Sequence, residues 1–289
     1  MSRPSWLTVK APKPGTLEKL QEMFQDLSLH TICENAACPN AGECFSRQTA
    51  TFLILGDLCT RNCRFCNVTH ARPSLPDPKE PEHLAEAVEK LGLKYVVLTS
   101  VTRDDLPDGG AQHFADCIKR LHSVCPQTEI EVLVPDFQGD ESAVKTVLTA
   151  GVTVFGHNIE TVPQLYQRVR PGADYRLSLA VLKTAKEINP DVFTKSGLMF
   201  GLGEEPAQVR QVLQDLRSVG CDILTLGQYL RPSAEHLPIV RYVPPEEFAA
   251  WEKEAYDLGF AFVSSGPFVR SSYRAQEAAQ VAKERGERL

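Results

Sequence analysis

Six of the nine cysteines lie between positions 33 and 66, in two groups of three. Cys33, Cys38 and Cys44 are spaced C-x4-C-x5-C, and Cys59, Cys63 and Cys66 are spaced C-x3-C-x2-C. Thiols this close together are the ligands of zinc or of iron–sulfur clusters. An iron–sulfur cube normally takes four thiolates, and each group supplies three. An iron without a thiolate has an open position, and an open iron can do chemistry. The competing meaning is a zinc knuckle. Zinc needs four closed ligands, and His70 is the only nearby candidate for a fourth beside the second group.

The second group, in the run Cys59-Thr-Arg-Asn-Cys63-Arg-Phe-Cys66, follows a strand-like stretch directly. S-adenosylmethionine can fill a vacancy on a cube through its amino and carboxylate groups, and an electron from the cluster can then cleave its sulfonium. This motif resembles that of the radical S-adenosylmethionine superfamily. Phe65 is placed to shield the cluster loop or to pack on adenine. Thr99 ends the second predicted strand and Asp104 follows it, and Asn158 and Glu160 come directly after the fourth, with Arg170 and Arg176 beyond. Their hydroxyl, amide and charged groups suit the amino-acid and ribose ends of S-adenosylmethionine. Helix caps and surface ion pairs are the alternative for each.

The first group narrows the resemblance. Cys33-Glu-Asn-Ala-Ala-Cys38-Pro-Asn-Ala-Gly-Glu-Cys44, upstream of the second motif, is similar to the auxiliary-cluster motif of the lipoyl synthase family. The family closes that cluster with a serine from a C-terminal Arg-Ser-Ser-Tyr segment, and this chain has Arg270-Ser271-Ser272-Tyr273. The residues leave Ser271 and Ser272 both open, and the resemblance points to Ser272. An oxygen ligand is harder than a thiolate and would be the weakest of the four.

The resemblance implies a sulfurtransferase with two 4Fe–4S clusters and S-adenosylmethionine as cofactors. Cys59, Cys63 and Cys66 would hold the radical-generating cluster. Cys33, Cys38, Cys44 and Ser272 would hold a cluster consumed as the sulfur donor. The substrate implied is an octanoyl chain on a lysine of a lipoyl carrier domain, with sulfur entering at C6 and C8. Implied carriers are E2 subunits of dehydrogenase complexes and the glycine-cleavage H protein. An electron donor and an iron–sulfur carrier for rebuilding the cluster are further implied partners. A methylthiotransferase is the second enzyme reading, but only about 30 residues precede Cys33 and no RNA-binding domain follows.

Something must hold these ligands in place. From residue 51 onward, short apolar runs alternate with helical periods. Strands are predicted at 51–55, 95–99, 129–134, 152–157, 194–200, 223–228 and 260–264. Helices are predicted near 82–91, 110–124, 140–150, 175–188, 206–219 and 246–258. Asp140 reads as a helix cap, and Gly151 and Gly220 as helix stops. Near-continuous apolar strands suit a parallel sheet covered by helices. The expected fold is α/β: a partial (β/α)6-type TIM barrel over 49–265. It carries an N-terminal cysteine-rich segment, 1–48, and a C-terminal segment, 266–289, with the serines. The charged tail after 275 is expected to fray.

Composition bounds the rest. Of the 289 residues, 43% are hydrophobic and 24% charged, as in ordinary globular proteins. The net charge of −6 argues against nucleic acid as a partner. No apolar run approaches the ~20 residues that span a bilayer. The opening residues predict neither a secretory leader nor a transit peptide, so a cytoplasmic location is expected. In such a reducing compartment, clustered cysteines are metal ligands more often than disulfides. Cys117, Cys125 and Cys221 read as small buried hydrophobes. Gly201-Leu-Gly203-Glu204 reads as a tight turn, and His30, His83, His113, His122 and His236 show no ligand spacing.

Overall fold

Apolar runs without alternation form strands where both faces can be covered. The computed structural model of this chain describes residues 4–8, 22–31, 40 and 49–286. Cys33, Cys38 and Cys44 lie outside the described residues, as does most of the 1–48 segment. The chain forms two compact units. One contains Lys10–Arg61 and Asn67–Phe155, the other Met1–Val9, Asn62–Cys66 and Gly156–Leu289.

In the first unit, β1 (His30–Thr31) runs antiparallel beside β2 (Thr49–Ile54). A separate parallel ladder joins β3 (Leu58–Cys59) to β4 (Thr69–His70). Helix α1 (Glu80–Leu91) leads to β5 (Tyr95–Ser100), which pairs in parallel with β2. Helix α2 (Ala111–Val124) leads to β6 (Glu129–Leu133), parallel to β5. The register sets Phe52 opposite Leu98 and Leu98 opposite Val132, so buried apolar side chains share one level of the sheet. Leu84, Ala85 and Val88 of α1 are buried, as are Phe114, Ile118 and Leu121 of α2, at the spacing of one helix face. Helix α3 (Glu141–Thr149) is capped as predicted: the Asp140 side chain accepts from the Ser142 N–H at 2.8 Å. Helix α2 lies against both α1 and α3.

Strand β7 (Val154–Gly156) leads into the second unit. The short α4 (Tyr166–Val169) precedes α5 (Tyr175–Ile188) and β8 (Phe193–Phe200). Then come α6 (Pro206–Ser218), β9 (Ile223–Gln228), α7 (Pro245–Asp257), β10 (Phe262–Gly266) and α8 (Ala275–Gly286). β8, β9 and β10 are parallel. Their core is built by Leu182 of α5, Val212 and Leu216 of α6, Leu224 and Leu226 of β9, and Phe248 and Trp251 of α7. The Phe200 ring centre lies 5.5 Å from that of Phe248 and 6.0 Å from that of Trp251.

All seven predicted strand runs are strands, and the six predicted helices fall within two residues of α1, α2, α3, α5, α6 and α7. The two-residue strands β1, β3 and β4 and the short α4 are too short to carry a periodicity. The tail differs from expectation. Residues 275–286 are helical, with Ala275, Ala278, Ala279 and Ala282 buried and α8 against β10. Alanine is a weak hydrophobic signal, but at this spacing it makes a smooth face that packs closely. No described helix is long and apolar enough to cross a membrane.

Candidate functional site

Strand β2 ends at a left-handed residue, Leu55, with φ +68°. A branched side chain there is strained. Glu80, buried in the first turn of α1, holds it: its carboxylate accepts from the Leu55 N–H at 2.9 Å and lies 2.5 Å from His113 Nε2. The chain then turns into the cysteine loop. Cys59 pairs with His70 across the β3–β4 ladder, and its carbonyl accepts from the Ala71 N–H at 3.1 Å.

The Cys59 sulfur accepts two backbone N–H groups, from Thr102 at 3.3 Å and from Arg61 at 3.5 Å. Such N–H···S bonds orient a cluster ligand and help set a cluster's potential. Thr60 ties the same loop to the turn after β5: its N–H and hydroxyl both donate to the Thr102 carbonyl, at 3.0 and 2.9 Å. Arg61 is gripped by two carboxylates. Its Nε and Nη2 donate to Asp104 at 2.7 and 2.9 Å, and its Nη1 and Nη2 donate to Asp136 at 2.5 and 2.7 Å. Burial acts to lower the Arg61 pKa, but the hydrogen bonds of Asp136 and Asp104 outweigh it and the net shift is upward. Arg61 is a fixed cation.

Cys63 and Cys66 belong to the other unit. The Cys66 N–H donates to the Cys63 carbonyl at 3.0 Å, making a tight turn. The Arg64 N–H donates to the Val169 carbonyl at 2.9 Å, and the Arg64 carbonyl accepts from the Leu237 N–H at 3.2 Å. His236 Nε2 lies 2.9 Å from the Cys66 carbonyl, with Ser233 Oγ 2.8 Å from its Nδ1. Phe65 packs on Val169, Leu202 and Tyr229, which accounts for the aromatic in the motif as a prop for the loop. Gln228 anchors the stretch after β9: its amide donates to the carbonyls of Phe200, Tyr229 and Arg241, each at 3.1 Å, and accepts from the Val243 N–H at 2.8 Å.

Asn158, Glu160 and Arg170 come together in that unit. Asn158 Nδ2 donates to Glu160 Oε1 at 3.0 Å, and Arg170 Nη1 donates to the Asn158 carbonyl at 2.9 Å. Glu160 is left-handed, with φ +64°, held by N–H and C=O bonds to Gly197 and Met199 of β8. Burial pushes the Glu160 carboxyl pKa up, and Arg170 and Asn158 offset part of the shift. Burial acts to lower the Arg170 pKa, but Tyr166, Glu160 and Cys63 outweigh it. Strained backbone, a half-buried carboxylate and a fixed guanidinium at strand ends suit recognition of a zwitterionic ligand.

The other expected contacts are placed differently. The Thr99 hydroxyl donates to the Leu133 carbonyl at 3.0 Å, inside the sheet. Asp104 is engaged by Arg61. Arg176 is exposed in the first turn of α5. Glu204 accepts from the N–H groups of Gly201, Leu202 and Gly203 at 2.7, 2.9 and 3.1 Å, which makes 201–204 the tight turn predicted. Sequence reasoning missed Arg61, Asp136, Gln228 and His236. Arg61 had a signal, a charged residue inside a ligand motif, while the other three act from distant loops.

Cys59, Cys63 and Cys66 are half-buried thiols, whereas Cys117 and Cys221 are fully buried. Among the described residues no three Cys, His, Asp or Glu side chains converge as a single metal ion demands. A cube does not demand it, because each thiolate meets a different iron at a different corner. Half-buried thiols and backbone N–H donors to sulfur, such as those on Cys59, are the chemistry that a cluster takes.

Residues 53–216 match the radical SAM superfamily model. The chain is 52% identical over 279 residues to the lipoyl synthase of Caldicellulosiruptor saccharolyticus, covering 96% of this chain and 98% of that one. It is 55% identical to the lipoyl synthase of Nitrosococcus oceani, covering 96% and 86%. The chain belongs to the lipoyl synthase family. Solved structures agree on the fold. The maturase HydG of the [FeFe]-hydrogenase superposes with a TM-score of 0.57 at 15% identity, covering 92% of this chain and 68% of that one. Methylornithine synthase (PylB) superposes with a TM-score of 0.54 at 14% identity, covering 78% and 63%. The fold is thus the α/β partial barrel expected. As a lipoyl synthase family member the chain is a sulfurtransferase, with S-adenosylmethionine and two 4Fe–4S clusters as cofactors.

Proposed function

We propose that this chain inserts sulfur at C6 and C8 of an octanoyl group carried on a lysine of a lipoyl carrier protein. The match to the C. saccharolyticus lipoyl synthase carries this reading, because it spans 98% of that enzyme. Cys59, Cys63 and Cys66 are the proposed ligands of the radical cluster. Cys33, Cys38, Cys44 and Ser272 are the proposed ligands of the auxiliary cluster. When bound, the cofactors supply a carbon-centred radical and the sulfur, since C6 and C8 are unactivated and no general base can deprotonate them.

The protein's residues hold and exclude. Arg61, with Asp104 and Asp136, sets the backbone between Cys59 and Cys63. Phe65 braces the loop from the apolar side. Asn158, Glu160 and Arg170 are the proposed contacts for S-adenosylmethionine, with the Arg170 charge facing its carboxylate. Thr99, Asp104 and Arg176 are further proposed contacts; the Thr99 hydroxyl also donates to the Leu133 carbonyl, and Asp104 also accepts from Arg61. Carriers are proposed to be E2 subunits and the glycine-cleavage H protein, served in the cytoplasm. An external electron donor and an iron–sulfur carrier complete the cycle.

The test is anaerobic purification, followed by iron and sulfide assay and S-adenosylmethionine cleavage after reduction. About eight irons per chain are expected for two cubes. Changing Cys59, Cys63 and Cys66 to alanine should abolish cleavage. Changing Cys33, Cys38 and Cys44 should spare cleavage and abolish sulfur insertion. Cleavage that survives in the first variant, or lipoyl product from the second, overturns the assignment.

A further inference from the structure

Two serines follow β10, and their hydroxyls are not equivalent. The segment reaches its place across β9. The Val269 carbonyl lies where a side chain on Gly227 would stand, so a bare strand position admits the crossing. Arg270 Nη1 donates to that same carbonyl at 2.7 Å, and the Tyr273 N–H donates to the Arg270 carbonyl at 2.9 Å, closing a turn with Ser271 and Ser272 at its centre. From this turn the Ser271 hydroxyl donates to Asn158 Oδ1 at 2.9 Å.

That bond bears on the proposed cofactor contacts. A carboxamide has two orientations that exchange its oxygen and its NH2. With the oxygen toward Ser271, the NH2 faces Glu160 Oε1 at 3.0 Å. The flipped amide would set its oxygen against the Glu160 carboxylate, acceptor against acceptor. The backbone of Asn158 is fixed separately, by Arg170 Nη1 on its carbonyl. Room for the carboxamide comes from Gly197 of β8, where an added Cβ would lie 2.9 Å from Asn158 Oδ1 and 2.8 Å from Thr225 Oγ1.

We infer that Ser271 is a positioning residue for S-adenosylmethionine binding, acting through the Asn158 carboxamide on the Asn158–Glu160–Arg170 group. The inference rests on the proposal that this group contacts S-adenosylmethionine. A chain of bonds then runs from the serine turn through Asn158 and Arg170 to the end of α4, where the Val169 carbonyl accepts the N–H of Arg64 in the cysteine loop. Ser271 serves the cofactor side of this chain, and the adjacent Ser272 is left for the auxiliary cluster. Binding of S-adenosylmethionine and docking of the serine turn are therefore coupled, each favouring the other.

The test measures the S-adenosylmethionine dissociation constant by equilibrium dialysis on anaerobic holoenzyme, with iron per chain counted in the same samples. Ser271→Ala should keep the iron of the unmodified protein and weaken binding about three- to tenfold, the worth of one hydrogen bond. Ser271→Thr keeps the hydroxyl and should restore most of the affinity. In an Asn158→Ala background, Ser271→Ala should cost nothing further. Unchanged affinity in Ser271→Ala, or additive losses in the double variant, overturns the inference. Loss of about four irons from Ser271→Ala also overturns it, by making Ser271 a cluster ligand. Failure of the unmodified holoenzyme to bind S-adenosylmethionine would instead remove the functional reading beneath it.

Discussion

At the scale of single residues, the cysteine loop owes its shape to an arginine. Arg61 stands between two proposed ligands and is held by four hydrogen bonds to Asp104 and Asp136. Asp136 is almost wholly buried, with 1% of its side chain exposed, and Arg61 donates to both of its carboxylate oxygens. Removing one member of a buried pair typically costs about 3–5 kcal/mol, because the other charge is left uncompensated. Arg61→Ala should lower stability by roughly that amount and release iron from the purified protein. Lysine carries the charge but lacks the planar fork, so it meets one carboxylate at a time. Arg61→Lys should fall between the two, read as the urea midpoint and the iron retained per chain. Equal midpoints for all three proteins would show that the double ion pair contributes nothing.

At the scale of elements, strand ends deliver the functional groups and bare strand positions make space for them. β8 gives up a side chain at Gly197 to seat Asn158, and β9 gives one up at Gly227 to let the serine segment cross. A methyl group at 227 meets backbone, the Val269 carbonyl, which cannot rotate away as a side chain would. Gly227→Ala should therefore displace the turn of Ser271 and Ser272 while β8, β9 and β10 stay paired. The expected result is a protein with about four of its eight irons that binds S-adenosylmethionine more weakly, because Ser271 leaves Asn158, but still cleaves it at saturating concentration after reduction. A full complement of iron in that variant would break the link between the crossing at Gly227 and the auxiliary cluster.

At the scale of the whole chain, each unit carries its own sealed thiol. Cys117 is buried in α2 and Cys221 lies just before β9, both at 0% exposure. Burial raises the Cys117 pKa well above the ordinary range and pushes that of Cys221 up to about 12. Both stay protonated and unreactive at mildly alkaline pH, because the thiolate is the nucleophile. In folded protein an alkylating reagent should leave both unmodified, as read by peptide mass spectrometry, and should label both in denaturant. Labelling of Cys117 or Cys221 under native conditions would mean that its unit opens. Much of this was legible in the chain itself. The spacing of Cys59, Cys63 and Cys66 and the strand runs fall within short windows, where periodicity and ligand spacing are local properties. The resemblance to the lipoyl synthase family rests on the same short motifs. The partners were not legible: Arg61 with Asp136 across 75 positions, His236 with the Cys66 carbonyl across 170, and Ser271 with Asn158 across 113. A hydrogen bond depends on distance in space, and only the folded chain sets that distance. The sequence by itself determined the cysteine motifs, the α/β order and the presence of two neighbouring serines. The tertiary structure alone decided that Ser271 faces Asn158, because Gly227 and Gly197 leave room for a backbone and a carboxamide that no local pattern announces.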